Sequence, residues 1–316
     1  MHNHTTTFIP KYGNPQDPNI RKKYGYFAAN ISILGNILLF TLKIILGIYI
    51  NSIALIADAI HTLSDIGTSG IVLFGFKLSS KPKDKEHPFG HGRIEYIATL
   101  ILAIILVVTG IEIITESIKR ALHLIPLNNQ ESLLIIGIII IITALVKELM
   151  AQFSFNIGKK IKSDTLSADA WHHRTDALSS IGVGTSLIAS SYGYIWLDPV
   201  FGAVVSIIII YVGSKLIKSV SNLLIGQPPD KKILKKINTI TQSIPKIKEV
   251  HAVCIHDYVT HKVITLHALV DKQMTVENAH KICDDLQEKI KKELNCTAII
   301  HIEPNKKQQK KTKISP

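Results

Sequence analysis

The sequence predicts an α-helical membrane protein: six transmembrane helices, then a small C-terminal α+β domain on the cytoplasmic side. Three observations predict it. The chain has 316 residues, 47% of them hydrophobic, and its apolar residues stand in long blocks instead of at amphipathic spacing. Lys and Arg gather in alternate connections between those blocks. Past Gln227-Pro228-Pro229 the long apolar runs stop and shorter, mixed segments begin.

Six blocks, at roughly 25–49, 52–77, 94–118, 132–155, 165–191 and 196–218, are each long enough, at about 1.5 Å per residue, to cross a hydrocarbon core of about 30 Å. The first follows a polar stretch holding Pro10, Pro15 and Pro18 and lacks a small-residue cleavage site, so no removable signal peptide is read. Arg21, Lys22 and Lys23 precede the first block. Lys77, Lys81, Lys83, Lys85 and Arg93 lie between the second and third, and Lys159, Lys160 and Lys162 between the fourth and fifth. The opposite connections carry only Lys119 and Arg120, so the positive-inside rule places both termini in the cytoplasm. Short loops and the lack of targeting signals point to a prokaryotic plasma membrane. The organisation expected is a cytoplasmic tail over 1–23, a transmembrane domain over 24–220, a cytoplasmic domain over 228–304 and a basic tail over 305–316.

The net charge of +12 does not call for nucleic acid. Much of it lies in these flanks and in the tail "KKQQKKTK", Lys306 to Lys313, where topology and anionic lipid headgroups account for it. Cys254, Cys283 and Cys296 all follow the last block, in a reducing compartment, so no disulfide is expected. The C-terminal domain reads as a helix over 230–243, strands through "EVHAVCIHDY" and "KVITLHALVD", a helix from Thr275 to Leu294, and a strand "TAIIHIEP".

Within the apolar blocks one pattern is written twice. "ADAIHTLSD", Ala57 to Asp65, and "ADAWHHRTD", Ala168 to Asp176, share Ala-Asp-Ala-x-His-x-x-x-Asp. Residues three and four apart share a helix face, so Asp58, His61 and Asp65 form one stripe and Asp169, His172 and Asp176 another. Each ionisable group exposed to lipid costs about 2.5 to 3.5 kcal/mol on insertion scales. The plainer reading is that these residues are interhelical salt bridges, but Lys147 and Arg174 are the only cations at comparable depth and neither is duplicated in the second block. A divalent metal answers the electrostatics directly. His61, Asp65, His172 and Asp176 supply two imidazoles and two carboxylates, a set zinc accepts in tetrahedral geometry. Asp58, one turn outward, and Asp169, one turn toward the cytoplasm, then read as pathway or supporting groups. Ligands of this kind also bind protons, which links metal binding to proton release. No nucleotide-binding loop is present to couple ATP.

Between the second and third blocks, "KDKEHPFGHGRIEY" spaces Asp84, His87 and His91 three and four apart. A helical curl would make them a three-ligand site with room for Glu86 or Glu95, although Pro88 and Gly90 argue for a tight turn. The alternative is a polar loop with two solvated histidines. In the C-terminal domain His251, His256, His261, His267, His280 and His301 recur, and His301 shares a strand face with Glu303.

"SIALIADAIHTLSD", "HPFGHGRIEY" and "SADAWHHRTDALSS", in that order, resemble the cation diffusion facilitators, metal and proton antiporters of the zinc-transporter type. The resemblance covers Tyr24 to about Pro304. It implies a transport site of His61, Asp65, His172 and Asp176, and a loop site of Asp84, His87 and His91. It also implies a ferredoxin-like, metallochaperone-like cytoplasmic domain that dimerises around metal held by His256, His267, His280, His301 and Glu303, the last replacing the Asp of better-known members. His251 and His261 match no ligand position and are read as surface residues. Arg93 and Asp230 match an acid and base that interlock the two domains. Members with His in both pairs are associated with zinc and sometimes cadmium. The expected function is export of a divalent metal, zinc before cadmium, iron or manganese, from the cytoplasm in exchange for protons, by a homodimer in the bilayer. Two rivals stand beside it: a metal sensor or scaffold without transport, and an intramembrane metalloenzyme, whose His-Glu-x-x-His string is absent.

Overall fold

A computed structural model of the chain describes residues 12–13, 17–49, 53–122 and 130–305. The basic tail from Lys306 onward lies outside the described residues. Two compact units divide near Leu224.

The first unit is six long helices: α1 Pro18–Tyr49, α2 Ile53–Ser79, α3 Ile94–Leu122, α4 Gln130–Ile161, α5 Asp164–Ser191 and α6 Leu197–Ile225. Five are long and apolar enough to cross a membrane. The exception, α5, carries Asp169, His172, His173, Arg174 and Asp176, and its polar face is buried among its neighbours, so its low hydropathy comes from what it carries inward. Leu34, Leu38, Ile45, Ile104, Ile111, Ile142, Leu149 and Ile207 point outward from the other helices, as they would toward lipid. The main pairings are α4 on α5 and α1 on α2. Gly137 and Gly184 let α4 and α5 meet backbone to backbone, since a Cβ on either would fall 2.7 or 2.8 Å from the other's carbonyl oxygen.

The second unit runs α7 Lys231–Gln242, β1 Glu249–Asp257, β2 Lys262–Val270, α8 Val276–Leu294 and β3 Thr297–Pro304. Sheet order is β1-β2-β3, with β1 antiparallel and β3 parallel to β2. The parallel pair needs a crossover, which α8 supplies. Asp230 caps α7 by accepting from Lys232 N, and Thr275 caps α8 by accepting from Asn278 N. Asn295, at φ 49°, ends α8 in the left-handed region. The core is one-sided. Ile237 and Ile240 of α7 and Leu286 and Ile290 of α8 pack on Ile264, Leu266, Ala268 and Ala298, so the alternate residues of each strand form an open second face.

Candidate metal centre

The doubled pattern converges. Ligand-capable atoms of His61, Asp65 and Asp176 all lie within 4.8 Å of one another, and His172 Nε2 is 3.4 Å from Asp65 Oδ1 and 3.7 Å from Asp176 Oδ2. The antiparallel run of α2 and α5 matches the i, i+4 pairs level for level. Asp65, His172 and Asp176 are buried, whereas His61 is exposed on the surface of the single chain. His172 Nε2 faces both carboxylates, so imidazole and acids meet at one point.

A cation reaches the cluster from a third helix. Lys147 of α4 places Nζ 2.6 Å from Asp65 Oδ2 and 3.1 Å from Asp176 Oδ2, with its side chain only 3% exposed. Lys43 of α1 donates to Thr62 Oγ1 at 3.0 Å and lies 2.8 Å from Asp58 Oδ2. Salt bridging therefore has a larger share here than the sequence allows, because Lys43 sits in a block where composition alone does not show its partner. Arg174 is spent elsewhere, on Glu148 at 2.5 and 3.0 Å.

Asp169 has partners of its own. Its Oδ2 accepts from Ser154 at 3.0 Å and lies 3.6 Å from Nε2 of His173, which also meets Ser32 Oγ at 3.1 Å. Asn36, one turn beyond Ser32 on α1, is buried with neither amide atom hydrogen-bonded. Sequence reading gave His173 no role, since it stands beside His172 and only packing tells the two apart.

The loop histidines meet through a tight turn, not a helical curl. His87 N donates to Asp84 Oδ1 at 2.7 Å, Gly90 N to His87 O at 2.9 Å, and Gly90 takes φ +81°, which favours glycine. Asp84 lies 3.5 Å from both His87 Nδ1 and His91 Nε2. The backbone N–H of His87 holds the Asp84 carboxyl below its ordinary range. Glu95, offered by the sequence as an extra ligand, is occupied: it is buried and bonds Arg21 and Ser163.

On the open face of the C-terminal sheet, His251, His267 and Glu303 bring ligand atoms within 4.8 Å of one another. His267 Nδ1 donates to Glu303 Oε1 at 2.8 Å, which holds the Glu303 carboxyl below its usual range. His301 stands opposite His267 in the parallel register, ring centroids 4.9 Å apart. The single chain gathers a set that differs from the one the resemblance implies. His251, read as a surface residue, pairs directly with His267. His256 pairs with Val263, two steps beyond Thr265 from the cluster, and His280 lies exposed on α8 against Asp284. A β-bulge lies between His251 and Cys254, with Ala252 at φ 51°. Strict alternation puts residues 251 and 256 on opposite faces; one extra residue puts both on the open face.

The arrangement defines a multi-pass membrane protein with a buried His–Asp cluster inside its helix bundle. Residues 29–225 match the cation efflux transmembrane domain and residues 229–305 the cytoplasmic domain of cation efflux proteins. The chain belongs to the cation diffusion facilitator family and is a metal-cation transporter, not an enzyme. It is 36% identical to an uncharacterized transporter of Methanocaldococcus jannaschii over 80% of this chain and 88% of that one. It is 27% identical to the manganese efflux system protein MneP of Bacillus subtilis over 90% and 97%, and 29% identical to metal tolerance protein C1 of Arabidopsis thaliana over 93% and 66%.

Proposed function

We infer that the chain is a homodimeric exporter of zinc from the cytoplasm, driven by protons moving inward, with His61, Asp65, His172 and Asp176 holding the transported ion. One observation carries the reading: the four side chains, from two antiparallel helices, converge at one depth. Two imidazoles among four ligands favour zinc over manganese, which prefers oxygen donors. Manganese remains the second reading, because the relative MneP is named for it. Imidazole must be neutral and carboxylate ionised before metal enters, so entry releases protons and outside protons expel the metal. Alternating access around a fixed midplane site then completes the cycle.

The test is flux into proteoliposomes under an imposed pH gradient, comparing zinc, cadmium, manganese and iron for the native chain and Asp65→Ala. Zinc moving only with the gradient, and not in Asp65→Ala, is the expected result; zinc flux indifferent to Asp65 rejects the site.

The loop trio and the sheet-face group of His251, His267, His301 and Glu303 are proposed as cytoplasmic metal sites that favour the dimer. Titrating the full-length protein with zinc, His251→Ala should weaken binding at the sheet face at least about tenfold, while His256→Ala changes it by less than about twofold. The reverse ranking would restore the ligand set read from resemblance. Glu303 adds a pH signature. Its folded-state pKa is depressed, so its contribution to stability is present above its unfolded value of about 4.3 and is lost as pH falls below that. A pH titration of the domain's unfolding should show Glu303→Gln flattening that acid limb.

A further inference from the structure

We propose that Lys147 is a tethered surrogate for the transported metal: its ammonium occupies Asp65 and Asp176 when no metal is bound and competes with the ion for them. The proposal rests on the transport-site reading above. It begins from geometry, since Lys147 Nζ contacts Oδ2 of both acids, at 2.6 and 3.1 Å, and these acids belong to the two helices that carry the ligand pairs. A divalent ion bound at about 2.1 Å from the same oxygens would have the ammonium as its nearest cationic neighbour. The two cannot share those lone pairs, and like charges at that range in a buried site repel strongly.

Charge counting shows what the lysine changes. With both carboxylates ionised and the histidines neutral, the ligands alone carry two negative charges without metal and none with it. Adding the Lys147 ammonium makes the cluster singly negative without metal and singly positive with it. The lysine therefore lowers the charge buried by the unloaded bundle and raises that of the loaded one. Because burying charge inside a membrane protein is costly, the ammonium favours the metal-free site over the metal-bound one, and the metal is held less tightly.

The same feature sets specificity. The ammonium is linked to α4 and is always at high local concentration beside its two acids. A monovalent ion can replace its charge only one for one and must shed its own hydration. A divalent ion brings twice the charge and gains two imidazole nitrogens the ammonium cannot use. Lys147 thus excludes sodium and potassium from the acids while leaving them open to a transition metal.

The experiment uses the full-length chain with His87→Ala and His267→Ala in every sample, so that zinc titration reads the membrane site. Zinc affinity is measured with a competing chelator. Lys147→Gln should tighten zinc binding at least tenfold, while Lys147→Arg, which keeps the charge, keeps the affinity within threefold of native. Lys147→Met makes the same test with a side chain of matching bulk should the Gln variant fail to fold. Unchanged or weaker zinc affinity overturns the proposal and makes Lys147 a structural brace. Asp65→Asn separates the two levels: if it leaves zinc binding intact, the site reading itself fails; if it removes binding while Lys147→Gln gives no tightening, only the surrogate role fails.

Discussion

Asp176→Asn should lower zinc efflux at least about 100-fold while leaving the helices folded. Removing a group that merely supports a metal ligand already costs about 10- to 100-fold, and Asp176 is placed as a ligand itself. Its Oδ2 also meets Lys147 at 3.1 Å and His172 Nε2 at 3.7 Å. The amide keeps the volume and one carbonyl oxygen, so packing is preserved while one of the cluster's two negative charges goes. Flux in proteoliposomes and thermal unfolding of the purified variant, read together, check it. Near-native flux would remove Asp176 from the site, and loss of flux with collapse of the fold would make it a bracing residue. Asp58→Asn is expected to do less, because Lys43 lies 2.8 Å from its Oδ2 and Asp58 stands a turn away from the converging ligand atoms.

Much of this was legible in the sequence for physical reasons. A span must be long and apolar to satisfy its backbone in lipid, which makes the six helices readable as blocks, and helical spacing makes each His–Asp pair readable as a face. The contribution of a third helix was harder to see. A lone Lys at position 147 carries no periodic signal linking it to acids on two other helices, and Lys43 in α1 has no local partner to announce it. The soluble domain was readable in its elements because its strands alternate, yet the single chain gathers His251 where the resemblance names His256 and His280. The bulge at Ala252 breaks the alternation that any strand reading relies on, and no Gly or Pro marks it. Glu95 was misplaced for a similar reason: proximity to His91 along the chain suggested a loop ligand, whereas its carboxylate turns toward helix ends far away in sequence.

That turn of Glu95 leads to the second large effect. Glu95→Ala should destabilise the membrane unit by about 3–5 kcal/mol, the usual cost of leaving one partner of a buried ion pair uncompensated. Arg21 Nε and Nη2 reach the two oxygens of Glu95 at 3.0 and 2.6 Å, a paired fork. Ser163 donates to Glu95 Oε1 at 2.5 Å, and Arg21 donates to the carbonyls of Ile161 and Lys162. Thr165 extends the network to Glu95 O at 3.0 Å and to Thr99 at 2.8 Å. The starts of α1 and α3 and the turn between α4 and α5 thus share one polar knot. Arg21 cannot escape to water without abandoning those carbonyls, which must be satisfied at the end of α4. The discriminating comparison is Arg21→Met with Glu95→Leu, because removing both charges leaves no buried charge uncompensated. Thermal unfolding in detergent should show Glu95→Ala lowering the midpoint on the order of 10 °C and the double variant recovering at least half of that. If the double variant is as unstable as the sum of its parts, the two charges do not act as a pair, and the knot owes its strength to Ser163 and the backbone carbonyls instead.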